Sequence, residues 1–479
     1  MSTPAEPRTG GHLNDLLGPW IPHQRWYPAK GREARMEVVG ALQLPVVGPG
    51  SGEDPDVRVL VHVVRVVGAA TGAATDVVQV PLVHRRHARE DGAAHLVGVL
   101  SDADGGSWHV YDGPQDPAFT DALLALLAGG EPAEGLSADG SRTSAAGTAT
   151  GRRPQGASTP APGSPARVLR GEQSNTSIIV EPAEGEPVIV KVFRTLHAGR
   201  NPDVEVQAAM TAAGVDAVPH LAGWLEGSWA ASPGDTGDAL VSGDLAVASE
   251  FLSGAQDAWR EATAAVAEGR DFSGPARDLG AATAQVHRAL AAELPSRPAT
   301  AADAEELVAG LRRRTDWALE SAPALAEHAD ALRAAVGRLD LTGLPDLQRV
   351  HGDYHLGQVL LVPGRGWVLL DFEGEPLRPL SERTLPDLAL RDVAGMLRSF
   401  DYAARQAGGG EAGQAWAASA RDAFCEGYAG VTGADPRERG DLLDALELDK
   451  ALYEVVYETR NRPDWVPVPL AAVERILAG

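Results

Sequence analysis

Lysine and cysteine are almost missing from this chain. Of its 42 basic residues only Lys30, Lys191 and Lys450 are lysine, and the rest are arginine. Cys425 is the one cysteine, which excludes an intrachain disulfide and fits a reducing compartment. Positive charge is scarce altogether, since 66 acidic residues leave a formal net charge of -24. That balance excludes nucleic acid and an anionic membrane as main partners, because both require clustered cations. No apolar run approaches the roughly 20 residues needed to cross a bilayer, and the N-terminus lacks a charged-then-apolar signal pattern. The expectation is a cytoplasmic protein whose 479 residues suffice for two or three domains.

Patterning divides the chain into four stretches. Residues 1–130 read as a β-rich unit: 57–67 and 76–83 alternate like strands, 95–100 pairs with 108–111, and 117–127 is a short amphipathic helix. Residues 131–166 are rich in Gly, Ala, Ser, Thr and Pro, which predicts a flexible linker or disordered loop. Residues 167–252 read as short strands at 167–169, 177–180, 188–193 and 245–251, with a helix over 203–213 after the Asn201-Pro202-Asp203 start signal. Residues 253–479 carry long Ala-rich helical patterns. A small β-rich lobe followed by a larger helical one predicts an α+β, bilobal, protein-kinase-like fold.

The chemistry concentrates in His351-Gly352-Asp353-Tyr354-His355-Leu356-Gly357-Gln358 and the following Leu369-Leu370-Asp371-Phe372-Glu373. An aspartate, an amide five residues on, and a second aspartate eighteen residues on is the order that phosphoryl transfer requires. Asp353 would orient the attacking hydroxyl and accept its proton, while the oxygens of Gln358 and Asp371 would hold magnesium. The apolar run 367–370 predicts a buried strand that delivers Asp371 at its end. Glu373 is close enough in sequence to touch a metal or a bound sugar, or to be a surface carboxylate. His351 and His355 are not a metal pair, because i, i+4 ligation needs a helix and Gly352 and Gly357 predict a loop. Asp392 opens a helix and reads as a cap or a buttress for the loop.

Lys191 sits inside the apolar strand Val188-Ile189-Val190-Lys191-Val192-Phe193. A buried ammonium needs a partner, and Glu205 on the next helix is the candidate, with the phosphates of ATP as substrate contact. Asp203 competes for that role but stands where a helix cap is expected. Gln173, Ser174, Asn175 and Thr176 lie between predicted strands, where small polar side chains can cover phosphates. Glu250 and Phe251 occupy the hinge, where backbone groups would meet adenine. Near the end, Tyr453, Tyr457, Glu458, Arg460, Asn461 and Trp465 combine rings with charged and amide groups, a mixture suited to a sugar. Tyr453, at i, i+4 from Tyr457, reads rather as core packing.

These phrases, with Gln24-Arg25-Trp26-Tyr27-Pro28-Ala29-Lys30-Gly31-Arg32 and Leu390 to Tyr402, resemble those of the bacterial maltokinases within the aminoglycoside-phosphotransferase-like kinases. The resemblance implies ATP-dependent phosphorylation of maltose at its anomeric hydroxyl, giving maltose 1-phosphate for α-glucan (glycogen) synthesis. It also implies magnesium, a cap-like N-terminal subdomain containing Trp26 and Lys30, a Lys191–Glu205 pair that aligns the nucleotide, Asp353 as catalytic residue, and Gln358 with Asp371 on the metal. A complex with a trehalose-to-maltose converting enzyme would follow from that pathway. Two other readings stand beside it: a kinase of the same fold acting on another small hydroxylated acceptor, and an inactive partner-binding pseudokinase. The second is disfavoured because Lys191, Asp353 and Asp371 are all present.

Overall fold

The computed structural model describes residues 9–10, 12–31, 33–47, 54–68, 74–102, 105–137, 140–169, 174–232, 236–339, 341–375 and 380–478. The chain forms two compact units: residues 1–205 with 220–251, and residues 206–219 with 252–479. The architecture is α+β with a β-rich N-terminal region.

The first unit is built on one 14-stranded sheet. From one edge its strands run Thr9–Gly10, Leu96–Ser101, Ser107–Asp112, Ala74–Arg85, Val57–Gly68, Ala34–Leu44, Ala133–Leu136, Arg142–Arg152, Leu221–Ala230, Leu240–Glu250, Val188–Phe193, Asn175–Val180 and Ala166–Val168, with Thr195–Leu196 added to the Ala74–Arg85 strand. Valine-rich alternation explains its centre. In Val57–Gly68, residues Val59, Val61 and Val63 face one apolar cluster, and Val64 and Val66 face a second. The first cluster also contains Val188, Val190 and Val192, so the N-terminal strands and the lysine-bearing strand share one core.

Part of the stretch 131–166, expected as a flexible linker or disordered loop, is built into the sheet. Ala133–Leu136 and Arg142–Arg152 are strands, and Arg142–Arg152 pairs antiparallel with both Ala133–Leu136 and Leu221–Ala230. Its small residues answer a packing demand. A β-carbon on Gly151 would collide with the Leu126 carbonyl oxygen of the helix Pro117–Leu127, and Ala133 and Ala149 are buried beneath that region. Composition that suggests disorder is here the signature of close backbone approach. The strands Ala34–Leu44 and Leu221–Ala230 also lie outside the sequence expectations, their alternation being interrupted by glycines or polar residues.

The second unit is mainly helical, with a three-stranded sheet of Gln256–Asp257, Val359–Val362 and Gly366–Leu369. Helix Ser273–Glu293 lies so close to Gly410–Thr432 that β-carbons on Gly280 and Gly427 would strike the backbone opposite. That crossing places His287 beside Tyr428. Among the described residues no helix is long and apolar enough to cross a membrane.

Two expectations follow. Gly151→Val should destabilise the first unit by about 2 kcal/mol through overpacking, read as a lower midpoint in denaturant unfolding. His62 and His84 are buried, their ring centroids 6.1 Å apart, with both ring nitrogens of His62 and Nε2 of His84 lacking a hydrogen-bond partner among the described residues. Burial pushes them down to about 3 and about 4, with His84 beside His62 and Arg58 beside His84 adding to the effect. The unfolded chain therefore binds more protons below the ordinary value of 6.5, and stability should fall as pH drops from there towards 4. The double variant His62→Leu, His84→Leu should lose less stability between pH 7.5 and 5.0, as roughly set by the free-imidazole range.

Candidate active site

In the second unit, two loops come together at Asp353 and Asp371. The chain leaves strand Gly366–Leu369 and turns at Asp371, which adopts φ 62°, the one positive φ among the described non-glycine residues. Aspartate tolerates this left-handed conformation better than most residues, and its retention marks a site where orientation matters more than local strain. The expected strand thus delivers the carboxylate at its end.

His351 stitches the loops. Its Nε2 donates to the Leu370 carbonyl at 2.8 Å, which leaves Nδ1 to accept from Asp353 N at 3.4 Å. Its ring packs against Tyr354 and Phe372 at centroid distances of 5.1 and 4.9 Å. Gly352 approaches Gly374 so closely that a β-carbon would stand 3.3 Å from its Cα. The loop bases are also joined by Leu370 N donating to Gln358 O at 2.9 Å. Both nitrogens of His351 are thus engaged, in keeping with a non-metal role.

Asp392 holds the loop from beneath. It is 1% exposed, and its oxygens accept from His351 N at 2.7 Å, Gly352 N at 2.9 Å and His287 Nε2 at 3.0 Å. Tyr428 OH completes the chain at 3.0 Å from His287 Nδ1. Burial raises the Asp392 carboxyl, but these donors outweigh it and hold the group below its ordinary value. The buttress reading is therefore the right one for Asp392. His287 and Tyr428 carried no sequence signal beyond helical periodicity.

Gln358 Nε2 lies 3.2 Å from Asp371 Oδ2, so the amide and carboxylate expected to hold magnesium are adjacent. Among the described residues no group of three or more His, Cys, Asp or Glu side chains is arranged to hold a metal. A magnesium ion carried largely by substrate phosphates needs only one or two carboxylates and hard oxygen donors, which this pair supplies. Arg383, unmarked in the sequence, feels the charge of Glu373, Glu375, Asp371 and Asp353, although burial lowers its guanidinium from the ordinary value.

A small cavity of about 50 Å³ borders the loop, lined by Gly352, Tyr354, Arg314, Glu375, Lys450 and Tyr453 among others. Tyr453 is half-buried. It stacks between Trp317, at 6.4 Å, and Tyr457, at 6.3 Å. Trp317 and Lys450 are additions that periodicity alone did not single out. Tyr457 is exposed, but Glu458 is buried, with Arg462 donating to it at 2.8 and 2.6 Å and Tyr402 OH at 3.2 Å. Glu458 is thus committed to holding the helix Gly440–Asn461. Asn461 Nδ2 donates to Tyr457 O at 2.8 Å, and Arg460 contacts Ser321 Oγ at 3.3 Å.

In the first unit, Lys191 Nζ lies 3.3 Å from Asp203 Oδ2. The carboxylate expected to cap the helix is therefore a partner of the lysine. The cap is Asn201, whose Oδ1 accepts from Asp203 N at 2.8 Å ahead of Pro202 at the first helical position. Glu205 follows on the same helix, Pro202–Ala212. Of the phosphate-covering stretch, Gln173 lies outside the described residues and Ser174 precedes strand Asn175–Val180. Thr176 Oγ1 accepts from Arg194 Nε at 2.8 Å. Arg194 is itself buried, 4.7 Å above the Trp26 ring and 3.5 Å from Asp112. Glu250 ends the strand Leu240–Glu250 with its carboxylate accepting from His220 N at 2.8 Å, and Phe251 N donates to Pro187 O at 2.8 Å. The chain passes to the second unit directly after Phe251.

Asp392→Ala should speed amide exchange at His351 and Gly352 by about 10- to 100-fold, the loss expected for charge-assisted bonds of roughly 1.5–3 kcal/mol. Hydrogen-exchange mass spectrometry over the 345–360 peptide reads it; unchanged protection would remove Asp392 from the buttress.

Comparison with known proteins places this geometry. Residues 20–116 match the maltokinase N-terminal cap domain, and residues 165–439 match the phosphotransferase enzyme family. A glucosamine kinase from Streptacidiphilus jiangxiensis is 31% identical over 79% of this chain and 87% of its own. Another, from Mycolicibacterium smegmatis (strain ATCC 700084 / mc(2)155), is 31% identical over 65% of this chain and 79% of its own. A solved glucosamine kinase in complex with glucosamine, ADP and inorganic phosphate is similar with TM-score 0.63 and 25% identity, covering 97% of this chain and 99% of that one. The match over residues 165–439 spans more than half of the chain, which belongs to the phosphotransferase enzyme family, as a kinase carrying a maltokinase-type N-terminal cap.

Proposed function

We propose that this kinase transfers the γ-phosphoryl group of ATP to the anomeric hydroxyl of maltose, giving maltose 1-phosphate. The observation that carries the reading is the aromatic pair Tyr453 and Trp317 on the side of Asp353 marked by Lys450, which lies 3.7 Å from Asp353 Oδ1 and one helical turn before Tyr453. Aromatic faces bind the apolar faces of sugar rings. The match of residues 20–116 to the maltokinase cap supports the same acceptor.

In this reading Asp353 accepts a hydrogen bond from the acceptor hydroxyl, orients it and takes its proton as the oxygen attacks phosphorus. Lys191 with Asp203 or Glu205 aligns the nucleotide phosphates, covered by the backbone and side chains of 173–176, with 250–251 at the adenine. Gln358 and Asp371 would hold magnesium, which when bound neutralises charge on the phosphates. Tyr457, Arg460, Asn461 and Glu373 would line the outer acceptor site. The product suits a transferase that extends an α-glucan, and a trehalose-to-maltose converting enzyme is the proposed partner, in the cytoplasm.

A second acceptor is favoured by the relatives: glucosamine, named for the kinases 31% identical to this chain. An amino sugar brings its own ammonium. Lys450 and Arg314 in the cavity wall oppose a second cation near Asp353, while Glu375 favours one.

Phosphorus NMR with ATP, magnesium and separate maltose, glucosamine, glucose and trehalose samples decides between them. The expected result is an anomeric sugar-phosphate signal with maltose alone. Asp353→Asn should reduce it by about 10²-fold or more, with ATP binding retained. Turnover of glucosamine alone would keep the kinase and discard maltose.

A further inference from the structure

Asp353 has a neighbour to which the reaction as described gives no task. Lys450 Nζ lies 3.7 Å from Asp353 Oδ1, with the two side chains 37% and 26% exposed. Lys450 stands on the helix Gly440–Asn461, one turn before Tyr453, and both line the cavity beside Gly352.

Stability does not account for this pair, because an ion pair of such exposure contributes only about 0–1 kcal/mol. Nor is Lys450 needed by the carboxylate next to it in sequence. Asp449 already has Arg314 at 3.3 Å and Arg391 at 3.4 Å. The residue type is also telling. Nearly every other cation in the chain is arginine. A guanidinium fork would engage both oxygens of Asp353 and block them, whereas an ammonium is a compact charge on a flexible stem that can leave one partner for another.

We propose that Lys450 is a catalytic cation on the acceptor side, which meets the phosphoryl group as it reaches the acceptor oxygen. The proposal rests on the reading of Asp353 as the carboxylate that takes the acceptor proton. In the step, the acceptor O–H bond breaks and its proton passes to Asp353. The acceptor oxygen forms a bond to the γ-phosphorus, and the bond from that phosphorus to the β,γ-bridging oxygen breaks, its electron pair leaving with ADP. Asp353 becomes neutral as the proton arrives, so Lys450 loses its anionic partner at the moment anionic phosphoryl oxygens come near. A hydroxyl bonded to the same oxygen at roughly 3 Å lies within about 7 Å of Nζ, a gap the lysine stem can close. The ammonium thus exchanges a carboxylate for a phosphate without ever being left unpaired.

The test uses the full-length protein and the sugar that turns over by phosphorus NMR, together with that sugar's phosphate ester. Lys450→Met and Lys450→Gln should each lower kcat roughly 10- to 100-fold with KM for ATP within about twofold. Calorimetry should show the phosphate ester bound about tenfold more weakly and the unphosphorylated sugar bound within about twofold of the parent. Lys450→Arg should recover ester affinity but not full turnover. Unchanged kcat in both neutral variants, or equal loss of affinity for sugar and ester, would overturn the assignment. Asp353→Asn separates the two claims: normal turnover there sinks the Asp353 reading itself, whereas an inactive Asp353→Asn beside normal Lys450 variants sinks only the lysine.

Discussion

The buried carboxylate of Asp392 is the constraint on which the catalytic region depends. It binds the backbone of His351 and Gly352, the two residues before Asp353, and so fixes the loop without using any side chain that must face substrate. Burying a charge is tolerable only when its lone pairs are filled, and here two amides and an imidazole fill them. His351 then extends the order to the second loop through the Leu370 carbonyl, one residue before Asp371. Asp353 and Asp371 therefore inherit their positions from a residue that faces neither of the proposed reactants.

In the first unit the corresponding constraint is the sheet. Gln79, on an N-terminal strand, donates to the carbonyls of Phe193 and Leu245 at 2.5 and 2.6 Å, and Arg194 joins Trp26, Asp112 and Thr176. These bonds tie the residues matched as the cap to the strand that carries Lys191. A chain with net charge -24 must attract a nucleotide by local means, and Lys191 is the cation proposed for that task.

The sequence was most legible where local chemistry and periodicity agreed. The helix 117–127 and the strand 188–193 carry strong patterns and occupy those residues. The spacing from Asp353 to Asp371 forecast a loop pair because phosphoryl transfer constrains donor order more tightly than it constrains the intervening residues. What could not be read was long-range. Nothing local distinguishes a glycine that permits a helix to lie against a strand from one in a linker, so 133–152 was mistaken for a loop. Asp203 looked like a cap because Asn201, equally suited, was two residues earlier. Glu458, expected among the sugar-contacting groups, is instead buried against Arg462 and Tyr402, since the faces of one helix are told apart only by what packs on them.

The strand Arg142–Arg152 has a consequence for how the protein is made. Thr148 N donates to Ser228 Oγ across 80 residues of chain, and strands from the first hundred residues share the sheet with Lys191. During synthesis the N-terminal strands therefore emerge long before their last partners, leaving open an edge on which another chain could pair. Neither the cap alone nor a fragment beginning after it would close that sheet. The cap and the strand bearing Lys191 lie in one compact unit, so dissecting them should yield sticky halves rather than two smaller proteins.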